Sequence, residues 1–112
     1  EPERFTITIP KRITLSGETK SGTYTVTCTG NIKDYRYVSV IPDSSFTITQ
    51  KGKESITATT VQQITKFRAE DYTGSLEADE TEMGTDIEGT INTPDLTAGS
   101  WNGTFNFKIN LI

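Results

Sequence analysis

The side chains with the most chemical potential gather in one stretch. Glu77-Ala78-Asp79-Glu80-Thr81-Glu82-Met83-Gly84-Thr85-Asp86 is dense in carboxylates, and Asp71 and Glu88 lie close by in sequence. Two facing carboxylates can serve as acid and base across a glycosidic bond. Oxygen ligands also suit calcium, and Asp79, Glu80, Glu82 and Asp86 are the candidate set. Their order lacks the Asp-x-Asp-x-Asp-Gly pattern of a calcium loop, and a polar acidic run is by default a solvated surface. Histidine is absent, which removes the commonest general base, nucleophile activator and zinc ligand. No glycine-rich phosphate loop leads into a helix. The chain is therefore expected to be non-catalytic, with calcium as the one cofactor to consider.

Aromatic side chains give a second candidate. Tyr35 and Tyr37 are two residues apart, so a strand presents both rings on one face while Val38 and Val40 take the other. Exposed rings at that spacing can stack on sugars, and Tyr72 can join them. Cross-strand packing on a wet face accounts for the same pattern. A Lys–Asn crosslink through the last strand is not expected. Lys108, Asn106 and Asn110 share the parity opposite to Phe105, Phe107 and Ile109 and should face water. Asn102-Gly103-Thr104 matches the glycosylation acceptor pattern and is read as a turn.

These residues must be held by strands. Trp101, Phe105, Phe107, Ile109 and Leu111 alternate with polar residues over the last stretch, the period of a half-buried strand. Phe5, Ile7 and Ile9 alternate likewise until Pro10, and Ile13 and Leu15 resume the pattern after a kink that could carry the strand between sheets. Further strands follow at Tyr24–Cys28, Tyr35–Ile41, Phe46–Thr49, Ile56 to Ile64 and Ile87–Ile91. A change of parity between Ala58 and Val61 is expected to mark a bulge. Residues 66–71 break the alternation and are expected to form one short helical turn, and 77–86 an exposed acidic loop. Turn signals every 8–12 residues or so indicate an all-β sandwich, of seven or eight strands.

The core is expected to contain Phe5, Ile7, Tyr24, Val26, Val38, Val40, Phe46, Ile48, Ile56, Ile91, Trp101, Phe105, Phe107 and Ile109. Cys28 shares the parity of Tyr24 and Val26 and belongs inside as a small apolar residue. Gly99 permits a tight turn with positive φ, and Gly103 leaves room for a neighbouring ring.

The totals agree with one domain spanning 1–112. Hydrophobic residues make up only 32%, and threonine, about a fifth of the chain, fills the deficit. Threonine is β-branched and suits a half-wet strand. Residues 1–68 hold 10 basic residues against 6 acids, and 69–112 hold 1 against 9, giving the net charge of −4. An acidic domain without a basic cluster is a poor ligand for nucleic acid or an anionic membrane. No apolar run approaches the roughly 18 residues of a membrane helix, so direct insertion is not expected. The chain opens on Glu1-Pro2-Glu3 and reads as a trimmed or mature fragment, with any export signal already gone.

Gly22-Thr23-Tyr24-Thr25-Val26, Val38-Ser39-Val40 with Pro42-Asp43, and above all Leu96-Thr97-Ala98-Gly99-Ser100-Trp101-Asn102-Gly103-Thr104-Phe105-Asn106-Phe107 carry a resemblance. Together they resemble immunoglobulin-like β-sandwich modules from surface proteins of Gram-positive, gut-type bacteria. The last hairpin is also similar to pilin and spore-coat-like sandwiches. The resemblance implies an immunoglobulin-like antiparallel sandwich at the cell surface or outside the cell. It implies a spacer or adhesion role, with neighbouring modules in a larger chain. Partners would be a glycan or a host or cell-surface protein, and the alternative is a carbohydrate-binding module using Tyr35, Tyr37 and Tyr72.

Overall fold

Alternation of apolar and hydroxyl side chains builds nearly every element. A computed structural model describes residues 2–10, 13, 21–62 and 65–112. Among them the regular elements are all strands: β1 (Arg4–Thr8), β2 (Ser21–Asn31), β3 (Tyr37–Pro42), β4 (Ser45–Thr49), β5 (Ile56–Gln62), β6 (Lys66–Arg68), β7 (Glu80–Glu82), β8 (Ile87–Asn92), β9 (Asn102–Gly103) and β10 (Phe107–Leu111). One sheet runs β1-β2-β8-β5-β4-β9 and the other β10-β3-β6-β7. Neighbours are antiparallel, except that β6 and β7 are parallel.

The two sheets share one core in a sandwich-like arrangement. Tyr24, Val26 and Cys28 on β2, Ile87 and Ile91 on β8, and Ala58 on β5 are buried with Val38 and Val40 on β3 and Phe67 on β6. The wet face of the larger sheet is coated with hydroxyls, among them Thr6, Thr25, Thr29, Thr47, Thr57 and Thr59, all exposed. Cys28 is fully enclosed, and loss of solvent pushes its thiol up to about 11.

The last stretch departs from a single strand. β9 pairs with β4 in the larger sheet, whereas β10 pairs with β3 in the smaller. Residues 104–106 cross between them. At the crossing, Phe105 stacks on Phe46 at 4.9 Å and meets Tyr24 at 5.6 Å and Phe107 at 5.3 Å. Just before it, the Trp101 indole N–H donates to the Thr97 carbonyl at 3.0 Å, and Gly99 takes φ 111°. The space at Gly103 is taken by β4 and not by an aromatic ring. A Cβ there would stand 2.5 Å from the Thr47 carbonyl oxygen and 2.7 Å from Ile48 Cγ2.

Four further expectations need correction. The helical turn near 66–71 is instead β6 followed by a backbone turn, in which the Tyr72 N–H donates to the Ala69 carbonyl at 3.0 Å. Phe67 is wholly buried while Lys66 and Arg68 lie half-buried on the other face, so Lys-Phe-Arg is a strand alternation built with long cationic stems. Within 77–86, Glu80–Glu82 forms β7, and Glu80, Thr81 and Met83 are buried. Ile109, expected in the core, is 36% exposed because β10 lies at the margin of its sheet. No parity change brings Val61 inward: Ile56, Ala58, Thr60 and Gln62 keep one face, and Val61 is 57% exposed on the other.

Splitting the last stretch and adding β6 and β7 raises the strand count from the expected seven or eight to ten among the described residues. The kink after Pro10 and the resumption at Leu15 lie outside those residues; Ile13 packs against the core. Phe67→Ala should cost about 3–5 kcal/mol, as for a fully buried ring. Equilibrium urea unfolding checks this, with Ile109→Ala expected to cost far less.

Candidate functional site

The outer face of the smaller sheet gathers the tyrosines and acids around one arginine. The β3–β6 register sets Tyr37 opposite Arg68 and Ser39 opposite Lys66. Tyr37 points away from Val38 and Val40, so its ring meets the cations: Arg68 Cζ lies 4.9 Å from the ring centre and Lys66 Nζ 5.2 Å. The turn after β6 then brings Tyr72 back, its ring centre 4.7 Å from Arg68 Cζ. A guanidinium held against two rings gains cation–π attraction, about 0.5–1 kcal/mol per exposed contact and more when desolvated.

The parallel β7 supplies the counter-charges. Arg68 Nε donates to Glu80 Oε2 at 2.7 Å, and Lys66 Nζ lies 3.0 Å from Asp79 Oδ2. The second Glu80 oxygen accepts from the Glu77 N–H at 2.9 Å, while the Glu80 N–H donates back to the Glu77 carbonyl at 3.0 Å. The loop over 69–79 is pinned midway, where Asp34 accepts from the Thr73 N–H at 3.1 Å and the Thr73 hydroxyl at 2.7 Å.

The Glu77 N–H, and after it the Arg68 guanidinium, hold the Glu80 carboxyl below its ordinary value against the opposing effect of burial. Lys66 lowers Asp79 through their hydrogen bond, and Asp79 raises Lys66 by the same contact. This arrangement has the makings of a clamp: one cation, two rings and a buried carboxylate, each satisfied by another.

The sequence-derived candidates fall out as follows. Tyr37 and Tyr72 come together on Arg68, but Tyr35 stands apart on the β2–β3 connection, 79% exposed. Asp79 and Glu80 go to separate cations. Glu82 is exposed opposite Arg68 in the register, and Asp86 accepts from the Thr27 hydroxyl at 2.6 Å beside the larger sheet. Among the described residues, no three His, Cys, Asp or Glu side chains are placed to hold a metal ion together. A shallow cavity of about 280 Å³ at the loop end is lined by Gly30, Asn31, Ile32, Asp34, Ala69, Glu70 and Asp71. Lys108, Asn106 and Asn110 are exposed.

Sequence reasoning missed Arg68 and Lys66, the centre of the cluster. Their signal was the alternation around Phe67. It also missed Glu3, whose carboxylate accepts from the Lys33 N–H at 2.8 Å and the Arg36 guanidinium at 2.6 Å.

Arg68→Ala leaves the buried Glu80 carboxylate without its counter-ion, with only the Glu77 N–H to offset it, and should cost about 3 kcal/mol, the low end for a broken buried pair. Because Glu80 and Asp79 titrate below their ordinary values when folded, their stabilisation is complete above pH 4.5, the ordinary glutamate value. It is lost as pH falls through the lowered folded values. Thermal unfolding between pH 6 and pH 3 should therefore show a shallower acid loss in Glu80→Gln than in the parent chain.

Comparison with known proteins finds no matching family model, no matching curated protein and no matching solved structure.

Proposed function

We propose that this domain is a non-catalytic module of an exported bacterial surface protein, acting in adhesion or as a structural spacer. The observation that carries this reading is the fate of its reactive side chains. Tyr37, Tyr72, Arg68 and Glu80 are engaged with one another, and Lys66 with Asp79, in contacts that fasten a loop to a sheet. A hydroxyl-coated sheet face suits a module that stays hydrated and unattached along its flank.

The finer fold belongs to the same proposal: an immunoglobulin-like sandwich. A constant-type domain orders its sheets A-B-E-D and C-F-G. The run β1-β2-β8-β5, with β10 beside β3, supports that layout, with β10 read as the sixth strand. The strands β4, β9, β6 and β7 are then additions at the sheet margins.

Antibody against the domain should label intact cells of the source bacterium, and protease added outside should remove the signal. Retention of the domain in the cytoplasm overturns the reading. The carbohydrate-binding alternative keeps one observation in its favour, the exposed ring of Tyr35. A glycan array checks it: saccharide binding abolished by Tyr35→Ala would establish the alternative, and an array without hits would remove it.

A further inference from the structure

Tyr35 shows 79% of its surface to water, yet the turn that carries it is braced twice over. The Arg36 N–H donates to the Lys33 carbonyl at 3.0 Å, closing a four-residue turn with Asp34 and Tyr35 at its centre. The Glu3 carboxylate accepts from the Lys33 N–H and the Arg36 guanidinium, at 2.8 and 2.6 Å. The Asp34 carboxylate accepts from the Thr73 N–H and hydroxyl, at 3.1 and 2.7 Å. The core does not need the Tyr35 ring: Ile32, 6% exposed, is what the β2–β3 connection contributes to it. A tyrosine with two side-chain torsions on a fixed turn loses little freedom when something settles on it.

The same turn walls the cavity of about 280 Å³ at this end of the molecule. Asn31 and Ile32 line it together with Asp34, the immediate neighbour of Tyr35. Glu70 and Asp71 line it from the turn after β6, which the Tyr72 N–H closes on the Ala69 carbonyl. Two turns therefore face each other across the cavity, and the Asp34–Thr73 contacts hold them at a fixed distance. The volume lies just under the range of roughly 300–1,000 Å³ for ordinary small-molecule sites, which leaves room for one sugar ring and not for a chain of them. Ile32 gives the cavity an apolar side. Asn31 offers both donors and acceptors, and the carboxylates offer acceptors alone. No cation is among the lining residues. Acceptors in excess suit a ligand that brings its own donors, as a ring bearing several hydroxyls does, and the C–H face of such a ring suits a flat aromatic one. An acidic sugar would meet like charge with nothing to offset it.

We infer that this end of the molecule is a binding site for one neutral hexose residue, with the Tyr35 ring as its platform and Asn31, Glu70 and Asp71 as its hydrogen-bonding partners. Tyr37 and Tyr72 take no part, because Arg68 occupies both rings. The inference rests on the carbohydrate-binding alternative above, to which it gives a location, a size and a charge preference; the proposed surface location of the module is independent of it.

Amide NMR of the isotope-labelled domain, titrated with the methyl glycosides of glucose, galactose and N-acetylglucosamine, tests the site. A ligand of about 13–16 non-hydrogen atoms at ordinary efficiency has a dissociation constant on the order of 1 mM, so titration to about 20 mM comes close to saturation. The expected result is a saturable shift of the amides in 30–35 and 69–71 with at least one probe. Tyr35→Ala should weaken that binding about tenfold or more, as for a central anchor, with the rest of its spectrum unchanged because the ring is exposed. The methyl glycoside of glucuronic acid should give no saturable shift. Binding that survives Tyr35→Ala, glucuronide binding as tight as that of the neutral sugars, or no saturable shift with any probe overturns the site. Shifts mapped to another part of the molecule also overturn it, while leaving the carbohydrate alternative standing.

Discussion

Phe105 stands at the one point where the late chain leaves the larger sheet for the smaller, and much of the architecture depends on what it touches there. Its ring meets Phe46 from β4, Tyr24 from β2 and Phe107 from β10. Aromatic pairs contribute about 0.5–1.5 kcal/mol each beyond their buried area, so this cluster ties both sheets to one crossing. The approach is fixed by small residues and one anchor. Gly103 lies flush against Thr47 and Ile48, and Trp101 is held by the Thr97 carbonyl.

The two outer faces solve different problems. The larger sheet keeps its water-facing side in threonine, which fits a pleated surface and brings little charge. The smaller sheet is only partly wet, because the 69–79 loop crosses it on the way from β6 to the parallel β7. A parallel neighbour requires such a crossover, and this one carries a charged cluster beneath it. Glu80 is nearly enclosed, so the cost of taking its charge out of water is offset by Arg68 and by the Glu77 N–H. The acidic character of 77–86 is thus partly a counterweight to Lys66 and Arg68.

The period of two was enough to find the cores of β1, β2, β4 and β8 and the inward face of Cys28, and residue type alone marked Gly99 for the positive φ it adopts. It could not find β6 or β7. β6 offers one apolar residue, Phe67, and β7 none, too little for a pattern, and Lys66 and Arg68 look like loop residues until their aliphatic stems are laid on a sheet. The split of the last stretch was hidden for a related reason. Parity is conserved from Trp101 to Leu111 whether or not the chain changes sheets, because both inner faces look into one core. Of the three tyrosines grouped from the sequence, Tyr37 and Tyr72 do meet, Tyr35 does not, and the Arg68 that joins the two was not legible. Its partners arrive from β3, from β7 and from the turn that follows β6, and sequence periodicity holds no information on the pairing of β6 with β3 and β7.

Cys28 carries a consequence for handling and habitat alike. A lone sulfur at the surface would be captured wherever oxidants circulate, joining two chains or taking up a small-molecule thiol. Here the sulfur lies behind β1 and β2 with its proton held tightly, so thiolate, the form that attacks, is scarce. The fold therefore needs no reducing surroundings to stay a single, unmodified species, and with one cysteine it gains no cohesion from an internal disulfide.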